Sequence, residues 1–110
     1  MTSTNVRPVK DAEFEQLVST TSKVVLIDFG APWCAPCRQM EPVVEELAEE
    51  FSEHLLVGAM NLDQDPETAK RLGIRGLPTF LILKNGVEVG REIGTLTKTK
   101  LAALLEPHFD

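Results

Sequence analysis

This chain is short of cysteine, of histidine and of positive charge, and each shortage removes a class of function. Two cysteines, Cys34 and Cys37, and two histidines, His54 and His108, are all that its 110 residues contain. A structural zinc centre takes four Cys or His ligands at paired spacing, and the histidines lie far along the chain from the cysteines and from each other. Eleven lysines and arginines stand against 17 aspartates and glutamates, a net charge of −6. Nucleic-acid and anionic-membrane surfaces need a basic face, and no Lys/Arg cluster overrides that balance. No apolar run approaches the roughly 18–20 residues that cross a bilayer. Met1 to Lys10 lacks the apolar stretch and cleavage pattern of a signal peptide. Two cysteines without such a signal point to a reducing compartment, so the expected location is the cytoplasm.

What is present is ordinary for a globular chain: 43% apolar and 25% charged residues. There are no linkers, repeats or low-complexity tracts, so residues 1–110 are expected to form one domain with 1–5 frayed. Val6 to Val9 reads as a short strand interrupted by Pro8. Asp11 is the expected cap of a helix that places Phe14, Leu17 and Val18 on one face. Val24 to Phe29 is an apolar run of strand length, followed by helical spacing of Met40, Val43, Val44, Leu47, Ala48 and Phe51 from Cys34 onward, with Pro42 inside. Leu55 to Leu62 is a second apolar strand. Asp65 as cap and Pro66 at the first helical position open a short helix that Gly73 closes.

Thr79 to Leu83 is a third buried strand. Lys84-Asn85-Gly86 signals a hairpin, because Asn-Gly supplies the positive φ values of a type I′ turn. Val87, Val89 and Ile93 suggest a strand with one buried face and Gly90 a bulge. Thr97 caps a last helix with Leu101, Leu104 and Leu105 inward, and Leu96 is placed to staple Leu101. The order β-α-β-α-β-α-β-β-α, with nearly continuous apolar strands joined through helices, implies parallel pairing in a three-layer α/β/α domain, closed by an antiparallel edge.

Both cysteines sit where the first long strand gives way to a helix, in Trp33-Cys34-Ala35-Pro36-Cys37. The positive end of the helix dipole favours a thiolate at Cys34. Cys37 is one turn further in, close enough to close a disulfide. The pair reads as a redox dithiol. Half of a zinc site and an inert staple are the competing readings. The first lacks ligands, and the second closes a loop too short to constrain the unfolded chain much. Asp28 is the second signal: a carboxylate inside an apolar strand is desolvated, which raises its pKa and suits it to proton transfer. Its alternative reading is an exposed strand-end residue. Asp63-Gln64-Asp65 lacks the acidic ligands of a metal loop. The glutamates at 41, 45, 46, 49, 50 and 53 read as a solvated helix face.

From about Val9 to Leu105 the chain resembles the thioredoxin family. The resemblance rests on Asp28-Phe29, Ala31, Trp33-Cys34 with Pro36-Cys37, Pro42, Asn61-x-Asp63-Gln64, Asp65-Pro66, Gly73 to Thr79, Lys84-Asn85-Gly86 and Gly94. It implies the thioredoxin fold, an α/β domain with a central mixed five-stranded sheet, and reduction of protein disulfides by dithiol–disulfide exchange. Cys34 would be the exposed nucleophile, Cys37 the deeper resolving thiol, and Asp28 the base that reaches it through water. Pro36 would stiffen the turn and Trp33 would flank the docking groove. Pro78 would be cis, with Leu77 offering its main chain to an extended substrate. Gly76, Leu62, Ile93 and Gly94 would complete a shallow apolar groove. The family also implies no bound cofactor, a monomer, disulfide-bearing client proteins and a separate thioredoxin reductase. A thiol oxidase or isomerase of the same fold, or a non-catalytic binding subunit, are the alternatives. Four positions depart from the usual pattern: Ala35 for Gly, Gly30 for a frequent second Trp, Ala59 for Lys, and Leu72 for an aromatic residue.

Overall fold

A computed structural model describes residues 5–110, so the expected fraying of the first residues falls almost wholly outside it. The elements run β1 (Val6–Pro8), α1 (Asp11–Ser19), β2 (Val24–Gly30), α2 (Ala35–Glu50), β3 (Leu55–Asn61), α3 (Glu67–Arg71), β4 (Thr79–Lys84), β5 (Val87–Ile93) and α4 (Lys98–Leu105). A short 3-10 turn, Glu106–His108, follows and had no sequence signal of its own. The strands form one sheet in the order β1-β3-β2-β4-β5. Pro8 is tolerated because it ends an edge strand, where a missing N–H breaks no ladder.

β2 is the central strand, and its alternation divides the core. Val24 and Leu26 join Met40, Val44, Leu47, Phe80, Leu101 and Leu105 under α2 and α4. Val25, Ile27 and Phe29 join Phe14, Val18, Met60 and Leu81 under α1 and α3. Both faces of the sheet are therefore covered, as the near-continuous apolar strands require. Period-two alternation puts Asp28 in the row of Val24 and Leu26, on the α2 face.

β1, β3 and β2 pair in parallel, whereas β4 lies antiparallel to β2 with Phe29 opposite Thr79. The expected parallel pairing therefore fails at β4. α3 has only five residues, and the segment after β3 does not carry the chain back across the sheet; β4 starts at the end where β2 and β3 finish. The hairpin is as expected, with Asn85 at φ 53° and Gly86 at φ 80°. Its second strand differs: Val87 and Ile93 are exposed, because β5 is an edge strand without a helix over that row. The register irregularity does lie beside Gly90, where Ile82 faces Gly90 but Leu83 faces Glu88. At α4, Thr97 Oγ1 accepts from the Lys100 N–H at 3.1 Å, and Leu96 packs on the cluster that holds Leu101.

Two capping assignments are exchanged in space. The cap of α1 is Lys10 and the cap of α3 is Pro66, so neither Asp11 nor Asp65 caps its own helix. The Asp11 carboxylate instead accepts from the N–H groups of Glu67 (3.0 Å) and Thr68 (2.8 Å) at the start of α3. The Asp65 carboxylate accepts from the Asp11 N–H at 2.9 Å. Each aspartate satisfies the other helix's orphan donors, which local spacing does not reveal. Arg71 adds an ion pair to Glu15 (2.8 Å) across the same two helices.

Partial burial opposes ionisation of Asp11, but hydrogen bonds from Thr68 and Glu67, with Arg71 nearby, outweigh it and hold the carboxyl below its ordinary value. A carboxylate depressed in this way stabilises the fold above its unfolded pKa, and that contribution is lost as pH falls through the folded value. Asp11→Ala is expected to cost about 1–2 kcal/mol at neutral pH, the usual worth of a lost cap. Urea unfolding at pH 7 and again near pH 3 checks this: the gap between variant and parent should narrow at the lower pH.

Candidate functional site

At the end of β2 the chain turns through Ala31, whose carbonyl accepts from the Cys34 N–H at 3.1 Å, and enters α2. Cys34 is the N-cap, with extended backbone, and Pro36 lies in the first turn, where helix N–H groups have no intrahelical partner. The Cys34 Sγ accepts from the Cys37 N–H at 3.2 Å. A sulfur at a helix N-terminus, with a main-chain donor aimed at it, is set to carry negative charge once the disulfide opens. Cys34 and Cys37 form a closed disulfide with Cα atoms 5.3 Å apart.

The expected contrast between an exposed Cys34 and a deeper Cys37 is not found in this oxidised form. Cys34 is 5% exposed and Cys37 7%. Position on the helix distinguishes them instead. Cys37 lines an open cavity of about 610 Å³ between α2 and the β2–β3–β1 side of the sheet, and Cys34 does not.

Asp28 lines the same cavity, and its Oδ1 is buried with no hydrogen-bond partner. Burial in the apolar sheet, reinforced by the negative charge of Glu41, pushes its pKa from 3.8 up to about 7. Asp28 is half-buried with its Oδ1 out of water, so it is not an exposed strand-end residue. Ala59 is its direct neighbour across the β2–β3 ladder and offers no cation to offset the buried charge. Gly30 also borders the cavity; a Cβ there would stand 3.4 Å from both Cβ and Sγ of Cys37. Gly30 thus stands small beside Cys37, and Ala59 small beside Asp28, on the wall of one cavity.

The groove candidates divide. Trp33 is 68% exposed and its Nε1 donates to Asp63 Oδ1 at 3.0 Å, so the ring is a pinned surface feature and not core. Ile93 is 60% exposed. A Cβ on Gly76 would come within 2.9 Å of Ile93 Cγ2, which shows how closely these two meet. The Leu77–Pro78 peptide is cis, as expected. Gly94, at φ 96°, donates its N–H to the Pro78 carbonyl at 2.8 Å and ties the groove's far edge to it. Among the described residues no turn, loop or cap hydrogen bond engages the Leu77 main chain. Leu62 and the Leu77 side chain are half-buried against the α1/α3 core instead. Leu62 falls just beyond β3, with its N–H on the Gly30 carbonyl at 2.9 Å.

Sequence reasoning also missed how the acidic face of α2 is divided. Glu46 and Glu50 pair with Lys98 at 3.4 and 2.9 Å, whereas Glu41 and Glu45 border the cavity. The signal was available, since residues 37, 41 and 45 recur at four-residue steps along one helix face. The aspartates at 63 and 65 are engaged by Trp33 and by the Asp11 N–H, which accounts for them without a cation.

With the geometry established, likeness to known proteins can be read. The Thioredoxin family profile matches residues 5–107. Thioredoxin 1 of Synechococcus elongatus is 45% identical over 92% of this chain and 94% of its own. The thioredoxin of Haemophilus influenzae is 41% identical over the same shares. Among solved structures, a mutant thioredoxin from Halobacterium salinarum superposes with a TM-score of 0.89 at 32% identity, covering all of this chain and 96% of the other.

A carboxyl whose folded pKa is raised holds a proton that the unfolded chain has already released, so stability falls as pH rises from about 4 through about 7. Asp28→Asn is expected to be more stable than the parent above pH 7, by at most about 4 kcal/mol, with the gain vanishing below pH 4. Denaturant unfolding across that range measures it. Ala59→Lys, on the register partner of Asp28, is expected to lower the Asp28 pKa in an NMR titration.

Proposed function

The chain belongs to the thioredoxin family, as a thiol–disulfide oxidoreductase that reduces protein disulfides through Cys34 and Cys37, and on that footing we propose a division of labour among its site residues. Cys34 attacks. Its thiolate adds to one sulfur of a client disulfide, forming a mixed disulfide and expelling the other client sulfur as a thiolate that takes a proton from water. Cys37 then gives its proton to Asp28, and the Cys37 thiolate attacks the Cys34 sulfur. The Cys34–Cys37 bond closes and the second client sulfur leaves as a thiolate that takes a proton from water. Two electrons pass from the dithiol to the client. The observation that carries this order is the Cys34 Sγ at the N-cap of α2, receiving the Cys37 N–H, while Cys37 alone of the two borders the cavity of Asp28.

Asp28 suits the acceptor role because a base works best with a pKa near the working pH, and its own is about 7. Client binding uses the exposed Trp33 ring and Ile93 side chain on either side of the Leu77 main chain, which pairs with an extended segment without reading its side chains. Members of this family draw their electrons from a thioredoxin reductase and deliver them to proteins with disulfides. For this chain we assign no resident cofactor, so each oxidised molecule is recharged by that separate enzyme, as an electron carrier. The cytoplasm is the proposed location and a monomer the proposed state. Among the described residues no helix is long and apolar enough to cross a membrane, and the net charge of −6 opposes a nucleic-acid partner.

Cys34→Ser is expected to abolish reduction of a disulfide-bonded protein in an assay driven by NADPH and thioredoxin reductase. Cys37→Ser should retain attack and accumulate a mixed disulfide visible by mass spectrometry. In the reduced protein iodoacetamide should alkylate Cys34 faster than Cys37; the reverse order would overturn the assignment of attacker and resolver.

A further inference from the structure

The one charged side chain that acts measurably on the proposed proton acceptor is an anion, Glu41. The cavity that Asp28 lines is bordered from β3 by Ala59, Met60 and Asn61 and from β1 by Val6 and Pro8, none of them titratable. The β4 neighbour of Asp28 is Phe80. Every ionisable group around the shared cavity other than Asp28 comes from α2: Cys37, Arg38, Glu41 and Glu45. Arg38 is turned to the active-site turn, where its guanidinium donates to the Pro32 carbonyl. Cys37, Glu41 and Glu45 stand at four-residue steps, one above another on the helix face that lines the cavity. Glu41 follows Cys37 by one turn, is exposed, and lines the same cavity as Asp28.

We propose that Glu41 is a positioning residue for the resolving step, its carboxylate acting through Asp28 to favour uptake of the proton that Cys37 surrenders, with the cavity opened by Gly30 and Ala59 as the route by which that proton leaves to solvent. The inference rests on the role of Asp28 given above. A neighbouring negative charge makes Asp28 the stronger base, which is consistent with Glu41 reinforcing burial at that carboxyl. An ammonium at position 59 would do the opposite. The proton balance is closed: Cys37 loses one proton to the Asp28 carboxylate, and Asp28 returns it to water in the cavity once the disulfide has formed. Because the charge of Glu41 is exposed, its influence is screened by salt, whereas the effect of burial is not.

The test joins an NMR titration of Asp28 with single-turnover decay of the mixed disulfide over pH, in the parent, Glu41→Gln, Glu41→Lys and Asp28→Asn. In Glu41→Gln the Asp28 midpoint and the midpoint of the resolving rate should fall together by about half a pH unit, and by more in Glu41→Lys. Raising the salt from about 20 mM to 0.5 M should lower the parent's midpoint and leave that of Glu41→Gln in place. Unmoved midpoints in both Glu41 variants, with a rate changed equally at all pH values or not at all, overturn the inference. Should Asp28→Asn resolve the mixed disulfide as fast as the parent, the base assignment itself fails, and the two failures are told apart.

Discussion

β2 is paired on both edges and covered on both faces, and the position of every reactive group follows from that burial. The strand runs from Val24 to Gly30 between β3 and β4 with its hydrophobic side chains almost wholly out of water. A strand so enclosed cannot slip its register by one residue without turning both apolar rows around. Its end is therefore a fixed point. The turn at Ala31 and the N-terminus of α2 hang from it, which sets Cys34 at the helix start and Cys37 one turn in. The same register holds Asp28 beside Ala59 and beneath α2.

That rigidity has a cost at one residue. A carboxyl in the row of Val24 and Leu26 loses hydration and gains no hydrogen bond at Oδ1. The fold tolerates it because two core clusters on either side of the sheet bury enough apolar surface elsewhere. The buried carboxyl shares its cavity with Cys37, and in the proposed mechanism it accepts the Cys37 proton. Glu41 and the absence of a cation at position 59 push in the same direction as burial. Under the proposed role, chemistry and stability conflict at Asp28.

The groove depends on a different set of contacts. α3 is too short to be stable alone, and it is held by the exchange of carboxylates between Asp11 and Asp65 and by Arg71 on Glu15. The segment that follows it carries Gly76, Leu77 and Pro78 to the start of β4, where Thr79 stands opposite Phe29 near the end of β2. Gly94 is bonded to the Pro78 carbonyl and Gly76 abuts Ile93, so the end of β5 is tied to the Pro78 turn. Trp33 is pinned separately by Asp63. The proposed docking surface thus draws on three loops, of which two are anchored by the Trp33–Asp63 and Gly94–Pro78 hydrogen bonds.

Local chemistry was sufficient for much of this protein. The element order, the Asn85-Gly86 turn, the Thr97 cap, the burial of Asp28 and the cysteine pair at a helix start all follow from periodicity, φ preference and residue type over a few neighbouring positions. The pieces that depended on family likeness, the cis peptide at Pro78 above all, had no such local cause. What the tertiary structure alone decided are contacts between segments far apart in sequence. They include the antiparallel placement of β4, the crossed caps of Asp11 and Asp65, the exposed row of β5, and the equal shielding of both sulfurs in the disulfide. The meeting of Glu41 with Asp28 belongs with them. A helical repeat shows that Glu41 shares a face with Cys37, but it does not show what lies opposite that face. Only the register of β2 with β3 and the seating of α2 across them bring the two carboxylates to one cavity, because burial and charge act through space and not along the chain.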